Sequence, residues 1–247
     1  MNALERNRYT EAWSEVGRKH GKPKAILAIS AHWYIRGTAV TAMHKPPTIH
    51  DFGGFPPALH AFDYPAPGDP ALAARVKSLL APLDVREDRE WGLDHGTWAV
   101  LCHVYPQADV PIVQLAIDGT KPPRFHYELG QRLAALRDEG VMLVGSGNVV
   151  HNLRVMRRMD GGSGAYPWAM QFEKAVRGYL ERKEHAPLVD YHLMGEPAAM
   201  SVPTPEHYLP LLYIAGARRD GDVMSVIAEG IELASISMLS VEYSHAG

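Results

Sequence analysis

One apolar run, Lys24-Ala25-Ile26-Leu27-Ala28-Ile29-Ser30, determines the fold of this chain. Its apolar residues follow one another with little alternation, which is the pattern of a strand covered on both faces. Runs of similar strand character follow at 37–43, 110–117 and 141–145. Helical periodicity lies before, between and after them, at 9–20, 71–80, 126–137 and 168–182. This alternation predicts an α/β fold with a central, mostly parallel or mixed sheet covered by helices on both faces.

The composition excludes several classes of partner. The chain has 247 residues, with 25 Lys+Arg against 28 Asp+Glu, a formal net charge of −3. Without a basic tract, nucleic acid and acidic membrane surfaces are not expected partners. No apolar run approaches the roughly 18 residues of a membrane span, and from the charged residues near Met1 we expect no signal peptide. Because the single cysteine, Cys102, cannot form an internal disulfide, we expect a cytoplasmic protein with Cys102 in its core.

We expect one domain over residues 1–247. Within it, the sequence predicts two long loops. Residues 45–68 contain many prolines and glycines, and aromatic residues between these breakers predict an ordered loop. The second loop is predicted at 191–205. Neither segment shows the shift in composition that marks a linker between domains.

The 13 histidines are the most unusual feature of the composition, and four of them lie where elements meet. His32 follows the run 24–30, and His151 follows 141–145 after a short turn. His95 precedes a predicted helix, and His207 lies in a proline-bounded turn before an apolar helix. Ligands bind at the carboxyl ends of strands in such sheets, and imidazole binds Zn, Fe, Cu and Ni. An isolated histidine is more often structural, however, and the chain has neither a His-Glu-x-x-His nor a Cys-x-x-Cys motif.

One glycine-containing stretch allows two interpretations: Ile49-His50-Asp51-Phe52-Gly53-Gly54-Phe55. It is either an Asp-supported histidine in a pocket wall or a turn held by two buried phenylalanine rings. In contrast, 145–148 lacks the spacing of a phosphate-binding loop and reads as a tight turn. No Gly-x-Ser-x-Gly motif supports a serine nucleophile.

Five motifs together, in this order, resemble the DOPA 4,5-extradiol dioxygenases of the class III extradiol ring-cleavage superfamily. They are Ser30-Ala31-His32-Trp33, residues 47–56, Asp94-His95-Gly96, residues 147–153 and residues 204–210. The resemblance extends over nearly the whole chain. It implies that the protein opens a catechol ring, such as that of L-DOPA, with O₂ and inserts both oxygen atoms to give a semialdehyde acid.

The resemblance also implies roles for particular residues. His32 and His207 are metal ligands, and His151 is either a further ligand or the acid/base group that faces the substrate. His95 helps to bind substrate or oxygen. The expected substrate pocket includes His50, Phe52 and Tyr208. Fe(II) is expected for activity, and Zn(II) is expected to compete for the site in purified protein because imidazole sites bind it more tightly.

The chain departs from the family pattern at its start. Family members begin with a strand that ends in His-Gly-Ser-Pro, whose histidine is a metal ligand, and Met1-Asn2-Ala3-Leu4 matches the segment directly after that strand. Two explanations compete: the native chain begins upstream of Met1, which we favour, or the chain lacks this strand and its ligand and is impaired. Two alternative functions stay open at this point. One is a zinc-dependent hydrolase built on the same histidines, and the other is a non-catalytic remnant that binds an aromatic ligand near Phe52 and Phe55.

Overall fold

The computed structural model describes residues 2–159 and 164–245. Met1 lies outside the described residues. Two compact units make up the chain. The first comprises Met1–Lys121 and Arg132–Ser146, and the second comprises Pro122–Gln131 and Gly147–Gly247.

The elements alternate along the chain as the sequence predicts. The strands are β1 (Ala25–Ile35), β2 (Thr38–Thr41), β3 (Val85–Asp88), β4 (Ile112–Asp118), β5 (Val141–Ser146), β6 (Asp222–Ala228), β7 (Ile231–Glu232), β8 (Ile236–Ser237) and β9 (Ser240–His245). The α-helices are α1 (Arg8–His20), α2 (Pro57–His60), α3 (Pro70–Leu80), α4 (His95–Val104), α5 (Pro123–Leu133), α6 (Pro167–Arg182), α7 (His185–Val189), α8 (Glu196–Ser201) and α9 (Leu209–Gly216). None of the helices in the described ranges is long and apolar enough to cross a bilayer.

The first unit is built on a five-stranded sheet in the order β3-β2-β4-β1-β5. β1 runs parallel to β4 and β5, β2 runs parallel to β3, and only the β2–β4 pair is antiparallel. The α/β fold with a mostly parallel central sheet is therefore confirmed. β1 lies between two partners, which is why its sequence is an almost unbroken apolar run.

Both faces of β1 are buried. Its first seven residues are all buried. Ile26 and Ala28 pack in one core with Trp98 and Leu101 of α4. Because side chains alternate along a strand, Leu27 and Ile29 point to the opposite face of the sheet. Their side chains are also buried, at 0% and 1% exposure. Helix α3 packs on the sheet, where it contacts β2, β3 and β4.

Several predicted boundaries need correction. β1 does not end at Ser30 but continues to Ile35, so His32 lies within the strand. The second predicted loop contains regular structure, a 3₁₀ helix over Tyr191–Met194 followed by α8. Residues 45–68 form a loop interrupted only by the short α2. The sequence did not predict β3 or the strands of the second unit.

The second unit packs short helices around α6. Phe172 and Val176 of α6 are buried, as are Leu188 of α7 and Leu212 of α9. α6 contacts α7, α8 and β8. Two antiparallel pairs, β6 with β9 and β7 with β8, complete the unit.

Candidate functional site

His32 lies where the pairing of β1 becomes irregular. The pairing of β1 with β5 ends at Ser30↔Ser146. Its pairing with β4 is interrupted after Ile29 and resumes at Tyr34. Irregular pairing of this kind turns a side chain away from its regular direction and is common beside active sites. The half-buried His32 side chain is in this stretch.

A buried polar network fixes the start of α4, and with it His95. Asp94 caps the helix by accepting a hydrogen bond from the Thr97 amide at 3.1 Å. It also accepts one from Ser30 Oγ at 2.7 Å and another from the Gln114 side-chain amide. Asp94 is fully buried, and burial raises the pKa of its carboxyl although these hydrogen bonds oppose the shift. Since Ser30 belongs to β1, the network holds His95 close to His32.

Gly96 allows the two imidazoles to approach each other. A Cβ at this position would lie 2.4 Å from Ser30 Oγ and 2.8 Å from His32 Cδ2. The ring centroids of His32 and His95 are 3.8 Å apart, with the planes inclined at 51°. Any larger residue at 96 would therefore separate the helix from the strand.

Asp51 joins the two histidines. Its Oδ1 lies 2.9 Å from His95 Nδ1, and its Oδ2 lies 3.3 Å from His32 Nδ1. Oδ1 also accepts a hydrogen bond from the His95 amide at 2.9 Å. Burial alone would raise the pKa of Asp51, but the contacts to His95 and the charges of His95 and His32 together lower it below its usual value. An aspartate does support histidine here, but its partners are His32 and His95, whereas His50 bonds to the Phe62 carbonyl at 2.8 Å.

This group has the composition of a metal site. One donor atom from each of His32, Asp51 and His95 can be chosen so that all lie within 4.8 Å of one another. His95 Nδ1 is buried and, although close to Asp51, is not in hydrogen-bonding geometry. A nitrogen in that position is suited to donating its lone pair to a cation. Two imidazoles with one carboxylate are a donor set typical of non-haem Fe(II), so the residues fit a divalent metal.

Aromatic side chains line one side of this group. Phe52 meets the His95 ring edge-on, with centroids 5.3 Å apart. His50 lies 5.8 Å from both Phe52 and Trp98. Phe52 is half-buried, but Phe55 is 38% exposed, so the expectation of two buried phenylalanine rings is wrong for Phe55. The arrangement could place a planar aromatic molecule beside His95.

The second unit brings His151 and His207 together. Their rings stack with centroids 3.5 Å apart and planes inclined at 8°. The His151 amide donates to the Ser201 carbonyl at 2.9 Å, and His151 forms an antiparallel bridge with Ile236. Burial lowers the pKa of His151, with the Glu206 charge opposing the shift. The ring is therefore neutral near pH 7 and able to accept a proton.

Tyr208 belongs to the core of the second unit. It is 0% exposed, and its hydroxyl donates to the Leu188 carbonyl at 3.0 Å. Its ring packs against Phe172 and Tyr191, with centroids 5.9 and 4.4 Å away. Burial raises the pKa of its hydroxyl well above the usual value. The residue offers no surface to a substrate, so we assign it to packing and not to the pocket.

The sequence-based site residues thus fall into two groups. His32 and His95 meet in the first unit, with His50 and Phe52 beside them, and His151 meets His207 in the second. The ligand set His32, His151 and His207 takes residues from both units and stays a prediction. Asp51 was not predicted as a partner of His32 and His95 because those residues lie far from it in sequence. Its position next to His50 was the only signal.

Comparisons with known proteins identify the family of this chain. The family model "Catalytic LigB subunit of aromatic ring-opening dioxygenase" matches residues 5–241. A relative from Escherichia coli (strain K12), "4,5-DOPA dioxygenase extradiol", is 55% identical over 246 residues, which are 98% of this chain and 90% of the relative. A protein of the same name from Beta vulgaris is 38% identical over 224 residues, or 89% and 82% of the two chains.

A solved structure shows the same fold. The crystal structure of an uncharacterized protein from Escherichia coli K12 superimposes with a TM-score of 0.84 and 50% sequence identity, over 96% of this chain and 93% of that chain. With a family model matching almost the full length and relatives well above 30% identity, the resemblance seen in the sequence is confirmed. The chain belongs to the LigB family of aromatic ring-opening dioxygenases.

Proposed function

We propose that this protein is a metal-dependent extradiol dioxygenase that opens the ring of a catechol, with L-DOPA as the first substrate to test. One carbon–carbon bond beside the two hydroxyl-bearing carbons breaks, and both atoms of O₂ enter the product, a semialdehyde acid. The observation that carries the proposal is the group of His32, Asp51 and His95 in a chain of this family. The names of the relatives support the substrate class. The family match favours this chemistry over the zinc hydrolase that the histidine pattern left open.

Fe(II) is the metal that we propose for activity. Fe(II) held by these residues would supply the redox chemistry that lets a catecholate react with O₂. His32 belongs to the group of His32, Asp51 and His95 in the first unit. It also belongs to the ligand set that the resemblance implies, so we assign it as a ligand. His207 is the second ligand that the resemblance implies.

The remaining histidines are assigned to the substrate. His95 contacts substrate or oxygen, and the edge of Phe52 beside it provides an apolar surface for the catechol ring. His151 is neutral because of its burial, so its ring can take a proton from a catechol hydroxyl and return it later in the reaction. The resemblance also allows His151 to be a ligand, and the iron content of a His151 variant separates the two roles.

The test combines metal content with oxygen uptake. The protein is stripped of metal, loaded with Fe(II) under anaerobic conditions because Zn(II) binds such sites more tightly, and then mixed with L-DOPA or simpler catechols in air. We expect O₂ consumption and a coloured ring-opened product. Iron-loaded protein that binds catechols but consumes no O₂ would contradict the proposal and support the non-catalytic alternative.

Single glutamine variants assign the roles. His32→Gln and His207→Gln are expected to lose bound iron. His95→Gln retains iron and loses turnover if His95 contacts the substrate, as the resemblance implies, and loses iron if His95 holds the metal together with His32 and Asp51. His151→Gln retains iron if His151 transfers protons and loses it if His151 is a ligand. Loss of turnover with full iron content in His32→Gln would contradict the ligand assignment.

A further inference from the structure

The backbone after β5 is fixed against His207. The Asn148 amide donates to the His207 carbonyl at 2.9 Å. A Cβ at Gly147 would lie 2.2 Å from the same carbonyl oxygen, so only glycine allows this approach. These backbone contacts hold Asn148 next to His207 independently of the Asn148 side chain.

A backbone carbonyl determines which way the Asn148 side chain faces. Its Nδ2 donates to the Ser237 carbonyl at 2.7 Å, and a carbonyl can only accept. This identifies the nitrogen of the amide and places Oδ1 on the other side. The Ser237 carbonyl is itself well fixed, since Ser237 is buried and its amide donates to the Val150 carbonyl at 2.9 Å.

The orientation of Asn148 has a consequence for His207. Asn148 Oδ1 lies 3.2 Å from His207 Nδ1. Because an amide oxygen has no hydrogen to give, the hydrogen of this contact must be on His207 Nδ1. In a neutral imidazole that hydrogen on Nδ1 leaves the lone pair on Nε2. Stacking against the His151 ring fixes the plane of the His207 ring.

We propose that Asn148 is the positioning residue of His207: by accepting from Nδ1, it holds the imidazole in the tautomer that has its lone pair on Nε2, the nitrogen that would bind a metal. The inference rests on the proposed function for the metal, but the tautomer itself is independent of it. Partners of this kind, which orient a ligating histidine through its other nitrogen, typically affect metal affinity about 10–100-fold.

The first experiment reads the tautomer in metal-free protein. Long-range ¹H–¹⁵N correlation spectra of protein labelled at histidine are recorded at pH 8, and the His207 signals are identified by their loss in His207→Gln. We expect the Nδ1–H tautomer in the wild type. Asn148→Ala, which removes the acceptor, should move His207 toward the Nε2–H tautomer.

The second experiment measures affinity for Zn(II) by competition with a chelator. Asn148→Ala is expected to bind about 10–100-fold more weakly. Ser237→Ala is the matched control, since it keeps the carbonyl that orients Asn148 and removes only the hydroxyl, which donates to Glu173 and accepts from the Leu239 amide. Its His207 tautomer should be unchanged.

The two measurements separate the possible failures. Nε2–H in the wild type, or an unchanged tautomer in Asn148→Ala, would overturn the proposal and leave the proposed function intact. A changed tautomer with unchanged Zn(II) affinity would overturn the link to metal binding, together with the assignment of His207 as a ligand.

Discussion

At the scale of single residues, the carboxylate of Asp51 does most to organise the candidate site. Its two oxygens face His32 and His95, and the contacts to His95 outweigh the cost of burying the charge. Asp51→Asn keeps an oxygen that can accept from the His95 amide but removes the negative charge. We expect the variant to fold and to bind Fe(II) about 10–100-fold more weakly.

The measurement is anaerobic titration of Fe(II) against a competing chelator, with circular dichroism to show that the variant is folded. Asp84→Asn, at an exposed position, provides the control and should bind like the wild type. Equal affinity in Asp51→Asn would show that Asp51 neither binds nor orients the metal site.

Cys102 gives a second prediction at this scale. Its thiol is packed against the core of the first unit, and burial raises its pKa to about 12. Because the thiolate is the reactive form, labelling by a thiol reagent at pH 8 should be slow in the native protein and fast after denaturation. Rapid labelling of native protein would contradict the placement of Cys102.

At the scale of elements, the contact between α4 and β1 depends on Gly96. We expect Gly96→Ala to destabilise the protein by about 1–3 kcal/mol, because the added methyl group overlaps Ser30 Oγ and approaches His32. Thermal unfolding measures the loss. Gly221→Ala is the matched control, since its Cβ would meet nothing within 4 Å. A Gly96→Ala variant as stable as this control would mean that α4 and β1 are less closely packed.

Individual elements also show what the sequence could predict. The apolar run at β1 identified the central strand because burial on both faces leaves a continuous signal. Its extension through His32 was not predictable, since the irregular pairing with β4 depends on the partner strand. α8 was missed because its six residues, Glu196–Ser201, are too few to show a helical period. β7 and β8 gave no pattern for the same reason, since each has two residues. β6 and β9 are longer, but most of their residues are only partly buried, so they lack the continuous apolar run of a central strand.

At the scale of the whole molecule, recognition of the family depended on five short motifs spread along the chain. These motifs identified His32, His95, His151 and His207 as candidates, and the structure brings them together in pairs. They did not identify the supporting contacts of Asp51 and Asn148. Such contacts join residues that are distant in sequence, so only the folded chain reveals them.

The proposed reaction of the whole protein is the insertion of both atoms of O₂ into a catechol as the ring opens. It is tested by mass spectrometry of the product formed by the Fe(II)-loaded protein from L-DOPA under ¹⁸O₂, with rapid quenching to limit exchange of the aldehyde oxygen with water. We predict a ring-opened product that contains two ¹⁸O atoms, and no such product from His32→Gln. A product with one ¹⁸O atom or none after control for exchange, or no ring opening with any catechol, would contradict the proposed function.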